Sequence, residues 1–194
     1  DLHSFPTRRS SDLSFDEEIF IRYFREHPEW KLIIAPHVIA EDHLQQIEKQ
    51  LDGWHVERYT KSNLSSLRLD SPLPSALIID CFGLLSTIYR YATVAYIGGG
   101  FGVGIHNTVE AAVWGVPVIF GPNNQKFQEA QQLKDCGGGF QINSYDDFAR
   151  LMDRFNADDT FLHDASHAAG TYVESKAGAT SKIIALVRGK KAEG

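Results

Sequence analysis

The sequence predicts an α/β fold, a Rossmann-like and mostly parallel six-stranded sheet with helices on both faces. Three observations carry that expectation. From Ser14 onward, short apolar runs alternate with amphipathic stretches, as they do in chains that interleave strands and helices. The apolar runs end in proline, glycine or an acidic residue, the punctuation expected where a buried strand leaves the sheet. Finally, 194 residues at 43% hydrophobic content can bury one core of this size.

The elements follow in order. Phe15 to His27 sets Phe15, Ile19, Phe20, Tyr23 and Phe24 on one helical stripe, which Pro28 stops. Lys31 to Ala35 is an apolar strand closed by Pro36, and Glu41 to Leu51 is a helix with Leu44, Ile47 and Leu51 on one face. Trp54 to Thr60 is a short strand, and residues 61–74 form a polar, Ser-rich loop. Ala76 to Asp80 is a strand, Leu84 to Tyr91 a helix, and Val94 to Ile97 a strand running into Gly98-Gly-Gly100. Asn107 to Trp114 is a helix broken by Gly115, and Val116 to Phe120 is a strand ending in Gly121-Pro122. Gln125 to Lys134 is helical, and Gly138 to Ile142 is the sixth strand. Helices over Tyr145 to Phe155, Asp158 to Ser175 and Ala179 to Val187 complete the chain, which has no internal repeat and no long linker.

Composition narrows the function classes. The net charge is −6, from 19 Lys+Arg against 25 Asp+Glu, which disfavours a nucleic-acid clamp. Cys81 and Cys136 are too few for a disulfide framework. The longest apolar runs fall far short of the roughly 20 residues that cross a bilayer. Residues 1–13 have two adjacent arginines and little apolar periodicity, and they match the in-frame translation of a common sequencing-library adapter. They are expected to be non-native, with residues 14–194 forming one Rossmann-like domain. The only methionine is Met152, so the sequence is expected to be a fragment or a processed product.

In open α/β sheets, ligands bind beyond the carboxyl ends of the strands. Pro36 and His37 follow the first strand, and Asp80, Cys81, Phe82, Gly83 and Leu84 follow the third. The fourth leads into Gly98-Gly-Gly-Phe-Gly-Val-Gly-Ile-His-Asn-Thr-Val-Glu110, the densest signal in the chain. Glycines there permit backbone conformations that a Cβ forbids and let amide N–H groups approach a ligand. Asn107 stands where a helix begins and is expected to cap it, leaving nearby N–H groups aimed at an anion. His106 and Glu110, four residues apart, share a face if the first helical turn reaches His106. Together they offer anion donors, a cation and a carboxylate able to accept two sugar hydroxyls, which suits a nucleotide carrying phosphate and ribose.

Each piece also has an ordinary reading on its own. The glycine run is also a tight strand-to-helix connection, Glu110 a solvated helix residue, His37 a loop histidine, and Asp80 a cap for the next segment. Phe82 and Phe101 also fit a core. Several chemistries are disfavoured outright. Gly100, Gly102 and Gly104 alternate, so the Gly-x-Gly-x-x-Gly dinucleotide pattern is not met, and no Gly-Lys-Ser/Thr triplet forms a P-loop. No histidine stands at metal-ligand spacing with the cysteines, and no Gly-x-Ser-x-Gly elbow is present.

Five motifs in order make the pattern specific: Lys31-Leu-Ile-Ile-Ala-Pro-His37, Ile78-Ile-Asp-Cys-Phe-Gly-Leu84, Tyr96-Ile-Gly-Gly-Gly-Phe101, Gly104-Ile-His-Asn-Thr-Val-Glu-Ala111 and Gly115-Val-Pro-Val-Ile-Phe-Gly-Pro122. They resemble the C-terminal domain of 3-deoxy-D-manno-octulosonic acid (Kdo) transferases, lipopolysaccharide enzymes with the two-domain GT-B glycosyltransferase fold. Gly178-Ala-Thr-Ser-Lys182 resembles that family's C-terminal helix. The resemblance implies transfer of Kdo from CMP-Kdo to a lipid A precursor at the cytoplasmic face of the bacterial inner membrane. It places Asp80, Phe82, Gly83 and Leu84 against cytosine and ribose, and Glu110 on the ribose hydroxyls. Gly98, Gly99, Gly100, Phe101, Gly104, His106 and Asn107 would surround the phosphate and the Kdo carboxylate, with Pro36 and His37 at the same site. It implies no divalent metal and no other cofactor, in keeping with the lack of an Asp-x-Asp cluster.

The sequence departs from the family pattern in two respects. Many members carry an Arg-His pair after the first strand, whereas here Pro36 leads directly to His37 and Val38, with Lys126 the nearest cation after the fifth strand. The family's acceptor site, membrane-anchoring helix and catalytic glutamate belong to an N-terminal domain outside this sequence. No residue here is therefore assigned as the base, and acceptor and membrane contacts are expected through that other domain. Two alternatives stay open: another GT-B enzyme using a UDP- or GDP-sugar, or a non-catalytic nucleotide-sugar-binding fragment.

Overall fold

The computed structural model describes residues 15–62, 74–178 and 184. The readings of residues 1–13, of loop residues 63–73 and of the final helix at 179–187, residue 184 aside, lie outside the described residues. The elements are α1 (Phe15–Glu26), β1 (Leu32–Ile34), α2 (Glu41–Gln50), β2 (Val56–Arg58), β3 (Ala76–Ile78) and α3 (Leu85–Ile88), the last running into a 3-10 turn at Tyr89–Tyr91. After these come β4 (Ala95–Ile97), α4 (Val109–Ala112), β5 (Val118–Phe120), α5 (Gln128–Cys136), β6 (Gly139–Gln141), α6 (Tyr145–Ala157) and α7 (Asp159–Lys176).

The chain divides into two compact units. The first comprises described residues of 15–88 together with 143–153, and the second comprises 89–142 and the described residues from 154 on. Each holds one parallel three-stranded sheet, ordered β1-β3-β2 in the first and β4-β5-β6 in the second. The single six-stranded sheet expected from the sequence is therefore seen among the described residues as two sheets of three. Strand polarity within each agrees with the expectation. Ile34 pairs with Ile78 in the first, and Ile97 with Phe120 in the second.

In the first unit, α1 carries acids in its first turn and Arg25 in its last, matching the helix dipole, and Pro28 lies just beyond its end. Its buried face is Ile19, Ile21, Tyr23 and Phe24. The predicted stripe included Phe15, which is 40% exposed, and omitted Ile21. Tyr23 is the hub of this unit: its ring stands edge-on to Phe24 and Phe148 at 5.9 and 5.5 Å and stacks on His27 at 4.0 Å. Its hydroxyl donates to Asp153 Oδ1 at 2.8 Å, and burial followed by that carboxylate pushes its pKa above the ordinary tyrosine range.

In the second unit, Val118, Ile119 and Phe120 of β5 are all fully buried, as befits the central strand of a sheet covered on both faces. Burying each such side chain contributes roughly 1.5–3 kcal/mol. Phe140, Phe155 and Phe161 form a second aromatic group, with ring centroids 5.1 to 5.6 Å apart. The Asp158 carboxylate accepts from Phe161 N–H at 2.9 Å and so caps α7.

Helices α4 and α5 begin later than their sequence pattern. Rather than Asn107 to Trp114, α4 is a single turn, because the Asn107 side chain takes the N–H of Val109 and Gly115 turns away at φ +68°. In α5 the start moves from Gln125 to Gln128, because Gln125 and Asn124 fold into a turn, with Phe127 N–H on Asn124 O at 3.0 Å.

Candidate functional site

In the first unit, β1 and β3 are adjacent and parallel, so Pro36-His37 and the Asp80–Leu84 turn leave the same edge of the sheet. Asp80 is a latch between β3 and the chain after β2. Its Oδ1 accepts the Thr60 N–H at 2.8 Å and its Oδ2 the Thr60 hydroxyl at 2.5 Å. Burial works against its charge, but the Thr60 hydrogen bonds outweigh that and hold the carboxyl below its usual range. Two short bonds leave a carboxylate further lone pairs. Phe82 is 84% exposed, which removes it from the core, while Gly83 turns beside it at φ +89°. His37 is exposed, Pro36 half-buried and Leu84 half-buried.

The first unit also holds a cation that the sequence reading missed. The Arg58 side chain is almost wholly buried, with Nε and Nη2 on the two oxygens of Glu48 at 2.8 and 2.6 Å and Nη1 on Glu41 at 2.7 Å. Hydrogen bonds from Arg58 and then Gln45 hold the Glu41 carboxyl down at about 2. With two carboxylates on it, Arg58 does not replace the arginine missing beside His37. Lys126, the other candidate, is exposed.

In the second unit, the glycine turn and the Gly121-Pro122-Asn123 loop leave the same edge of the β4–β5 pair. They pack backbone to backbone. A Cβ on Gly100 would stand 2.6 Å from Gly121 Cα, and a Cβ on Gly99, at φ +90°, would strike the Gly104 carbonyl. Gly102 and Gly104 both donate N–H to Gly99 O, at 2.9 and 3.1 Å, and His106 N–H reaches Gly98 O at 3.3 Å. The amides of Gly102, Gly104 and His106 thus bond within the loop itself. Gly98 and Phe101 are half-buried and Gly100 buried.

Asn107 joins the loop to α4. Its Oδ1 accepts Val109 N–H at 3.0 Å, and its Nδ2 donates to Glu110 Oε1 at 3.0 Å. Since α4 begins at Val109, the first helical turn does not reach His106. The expected His106–Glu110 face is replaced by an Asn107–Glu110 pair. Glu110 keeps its second oxygen out of that bond, half-buried near Tyr89. Burial, and then the Glu110 charge, push the Tyr89 hydroxyl up to about 12. Among the described residues, no group of three or more His, Cys, Asp or Glu side chains converges as a metal site would.

Two solved structures share this fold. One is the C-terminal CMP-Kdo binding domain of WaaA from Acinetobacter baumannii, 18% identical, with a TM-score of 0.67 over 84% of this chain and 86% of that one. The other is the C-terminal domain of the glycosyl transferase group 1 family protein LpcC from Francisella tularensis, 16% identical, with a TM-score of 0.53 over 82% and 76%. This chain therefore shares the fold of those two C-terminal domains.

Sequence similarity narrows the class. The chain is similar to 3-deoxy-D-manno-octulosonic acid transferases: 29% identical to that of Aquifex aeolicus (strain VF5) over 64% of this chain and 34% of that protein. It is 40% identical to that of Chlamydophila psittaci (strain ATCC VR-125 / 6BC) over 33% of this chain and 16% of that protein. The chain thus spans about a third or less of the curated relatives it matches. No protein-family model matches it. Among the described residues, no helix is long and apolar enough to cross a membrane.

Proposed function

We propose that this chain is the donor-binding part of an enzyme that transfers Kdo from CMP-Kdo to a lipid A precursor in lipopolysaccharide biosynthesis, at the cytoplasmic face of the bacterial inner membrane. One observation carries the reading: a glycine turn at a strand end runs directly into an Asn107–Glu110 pair that fixes one carboxylate oxygen and leaves the other. The names of the sequence relatives and of the WaaA domain support the choice of donor. The parallel pairing of strands within each unit supports a Rossmann-like GT-B half.

Glu110 accepts the ribose hydroxyls through its remaining lone pairs, oriented by Asn107. Phe82, flat and exposed, offers a face on which cytosine stacks, and Asp80, Gly83 and Leu84 form the turn around it. Gly98, Gly99, Gly100, Phe101, Gly104, His106 and Asn107 surround the phosphate and the Kdo carboxylate. The departure of CMP builds negative charge on its phosphate, and preorganised donors stabilise that charge without reorganising. No residue of this chain is the general base. The acceptor and the membrane are handled by the remainder of such an enzyme, and this chain alone binds donor without transferring it.

A Glu110→Ala substitution tests the reading by isothermal titration with CMP. Loss of the ribose hydrogen bonds should weaken binding by at least about 1 kcal/mol, with little change in melting temperature because Glu110 lies outside the core. Unchanged affinity removes Glu110 from the site.

A further inference from the structure

A second loop braces the glycine turn. Residues 121–127 run from the end of β5 to the start of α5, within the second unit. Besides the close approach of Gly121 to Gly100, they meet the turn at three further points. Asn123 N–H donates to Gly100 O at 2.9 Å, Asn123 Nδ2 donates to Gly102 O at 2.6 Å, and the Phe127 ring lies 3.0 Å from where a Gly104 Cβ would stand.

The brace is itself held from beneath. Asn124 is fully buried, and its Nδ2 donates to Gly121 O at 2.8 Å and to Gln141 Oε1 at 2.9 Å. Its Oδ1 accepts from Gln131 Nε2 at 2.7 Å and from Lys134 Nζ at 3.1 Å. Both amide hydrogens and both lone pairs are used, so the network is satisfied and stiff. It ties the loop to α5 and to β6, so the next residue, Asn123, meets the turn from a fixed place.

Five of the seven residues from Gly98 to Gly104 are glycine, the residue that loses most backbone freedom on ordering. An unbraced turn of this kind would surrender that freedom at each binding event and weaken the complex. We infer that Asn123, seated by Asn124, is a positioning residue that pre-orders the glycine turn for a phosphate-bearing ligand. The inference rests on the donor-binding reading above. It assigns the brace to a side chain that bonds to the backbone of the turn and that the sequence did not single out.

Asn123 is exposed, so its side chain can be changed without opening the core. The test uses the full chain, CMP as probe, and two variants, Asn123→Ala and Asn123→Gln. The alanine variant should bind CMP about fivefold more weakly, the loss expected for one hydrogen bond, and melt within about 2 °C of the parent. Amide exchange at Gly102 and Gly104 should speed up, and the glutamine variant, which keeps an amide donor, should recover most of the affinity. Equal CMP affinity of parent and alanine variant overturns the inference, as does an equal loss in both variants that follows their melting temperatures. If the parent binds no CMP, the donor reading fails and exchange alone decides the brace. Faster exchange confined to the glycine turn then upholds it, and unchanged exchange overturns it.

Discussion

Replacing Gly100 by alanine probes the contact on which the second-unit loops depend. Its φ lies outside the left-handed region, so alanine suits the backbone, and the loss of unfolded-state freedom alone would stabilise the protein by about 0.4–1 kcal/mol. Packing acts in the opposite sense and decides the outcome. The added Cβ would strike Gly121 N and stand 2.6 Å from Gly121 Cα, where ordinary contact begins at 3.4 Å, so one backbone must retreat by at least 0.8 Å. Neither can give as a flexible side chain does, because the atoms met belong to the chain leaving β5. Overpacking of this kind costs about 1–3 kcal/mol, and the strained Asn123 N–H to Gly100 O bond adds about 1 kcal/mol. The net expectation is a loss of about 2–3 kcal/mol, read by urea unfolding at 25 °C with the slope compared to confirm a similar unfolded state. A variant as stable as the parent, or more stable, would refute the close packing of the two loops.

The first unit supplies two further predictions. Arg58→Met should cost about 2 kcal/mol, below the 3–5 kcal/mol typical of broken buried pairs, because the Glu41 and Glu48 side chains are 56% and 40% exposed and regain water. Its pH signature has a defined sign. The Glu41 carboxyl is held at about 2 against an ordinary 4.5, so its contribution is complete above 4.5 and fades as pH falls through about 2. Unfolding followed from pH 6 to 2 should show that acid loss in the parent and a weaker one in the variant. Tyr23→Phe should cost about 1 kcal/mol in thermal melts, since Asp153, largely exposed, regains water once the hydroxyl is gone. With its pKa raised, the parent Tyr23 should stay protonated through the range where exposed tyrosines ionise. The stabilisation is present below the unfolded pKa and lost as pH rises through the folded one, and the ultraviolet titration of the folded parent should match that of the variant until unfolding releases Tyr23.

Much of the fold was legible because the signals are local. Pro28 ends α1, apolar runs become β1 and β3 to β6, and Asp158 caps α7 where the polar punctuation stands. What escaped depends on partners distant in the sequence. The α1 stripe was rotated toward Phe15 because periodicity alone does not say that Ile21 faces the core. The six strands pair as two sheets of three, and pairing is not written in any single strand.

At the site, the sequence located the loops but not their hydrogen bonds. Asn107 at the start of α4 was legible as a cap, whereas its second bond to Glu110 depends on where the helix begins. The bonds that the Gly102, Gly104 and His106 amides make inside the loop leave no mark in composition. Arg58 reads as a strand-end surface residue until Glu41 and Glu48 of α2 fold over it. Asn123 and Asn124 look like turn formers, and only Gln131, Lys134 and Gln141 reveal a built network.

The central claim is that this chain recognises the nucleotide of a CMP-sugar, and titration calorimetry of the chain with CMP and with UDP tests it most directly. The account predicts measurable heat of binding for CMP, weaker or no binding for UDP, and weaker CMP binding in Glu110→Ala. Preference for UDP, or binding of neither nucleotide, would contradict it.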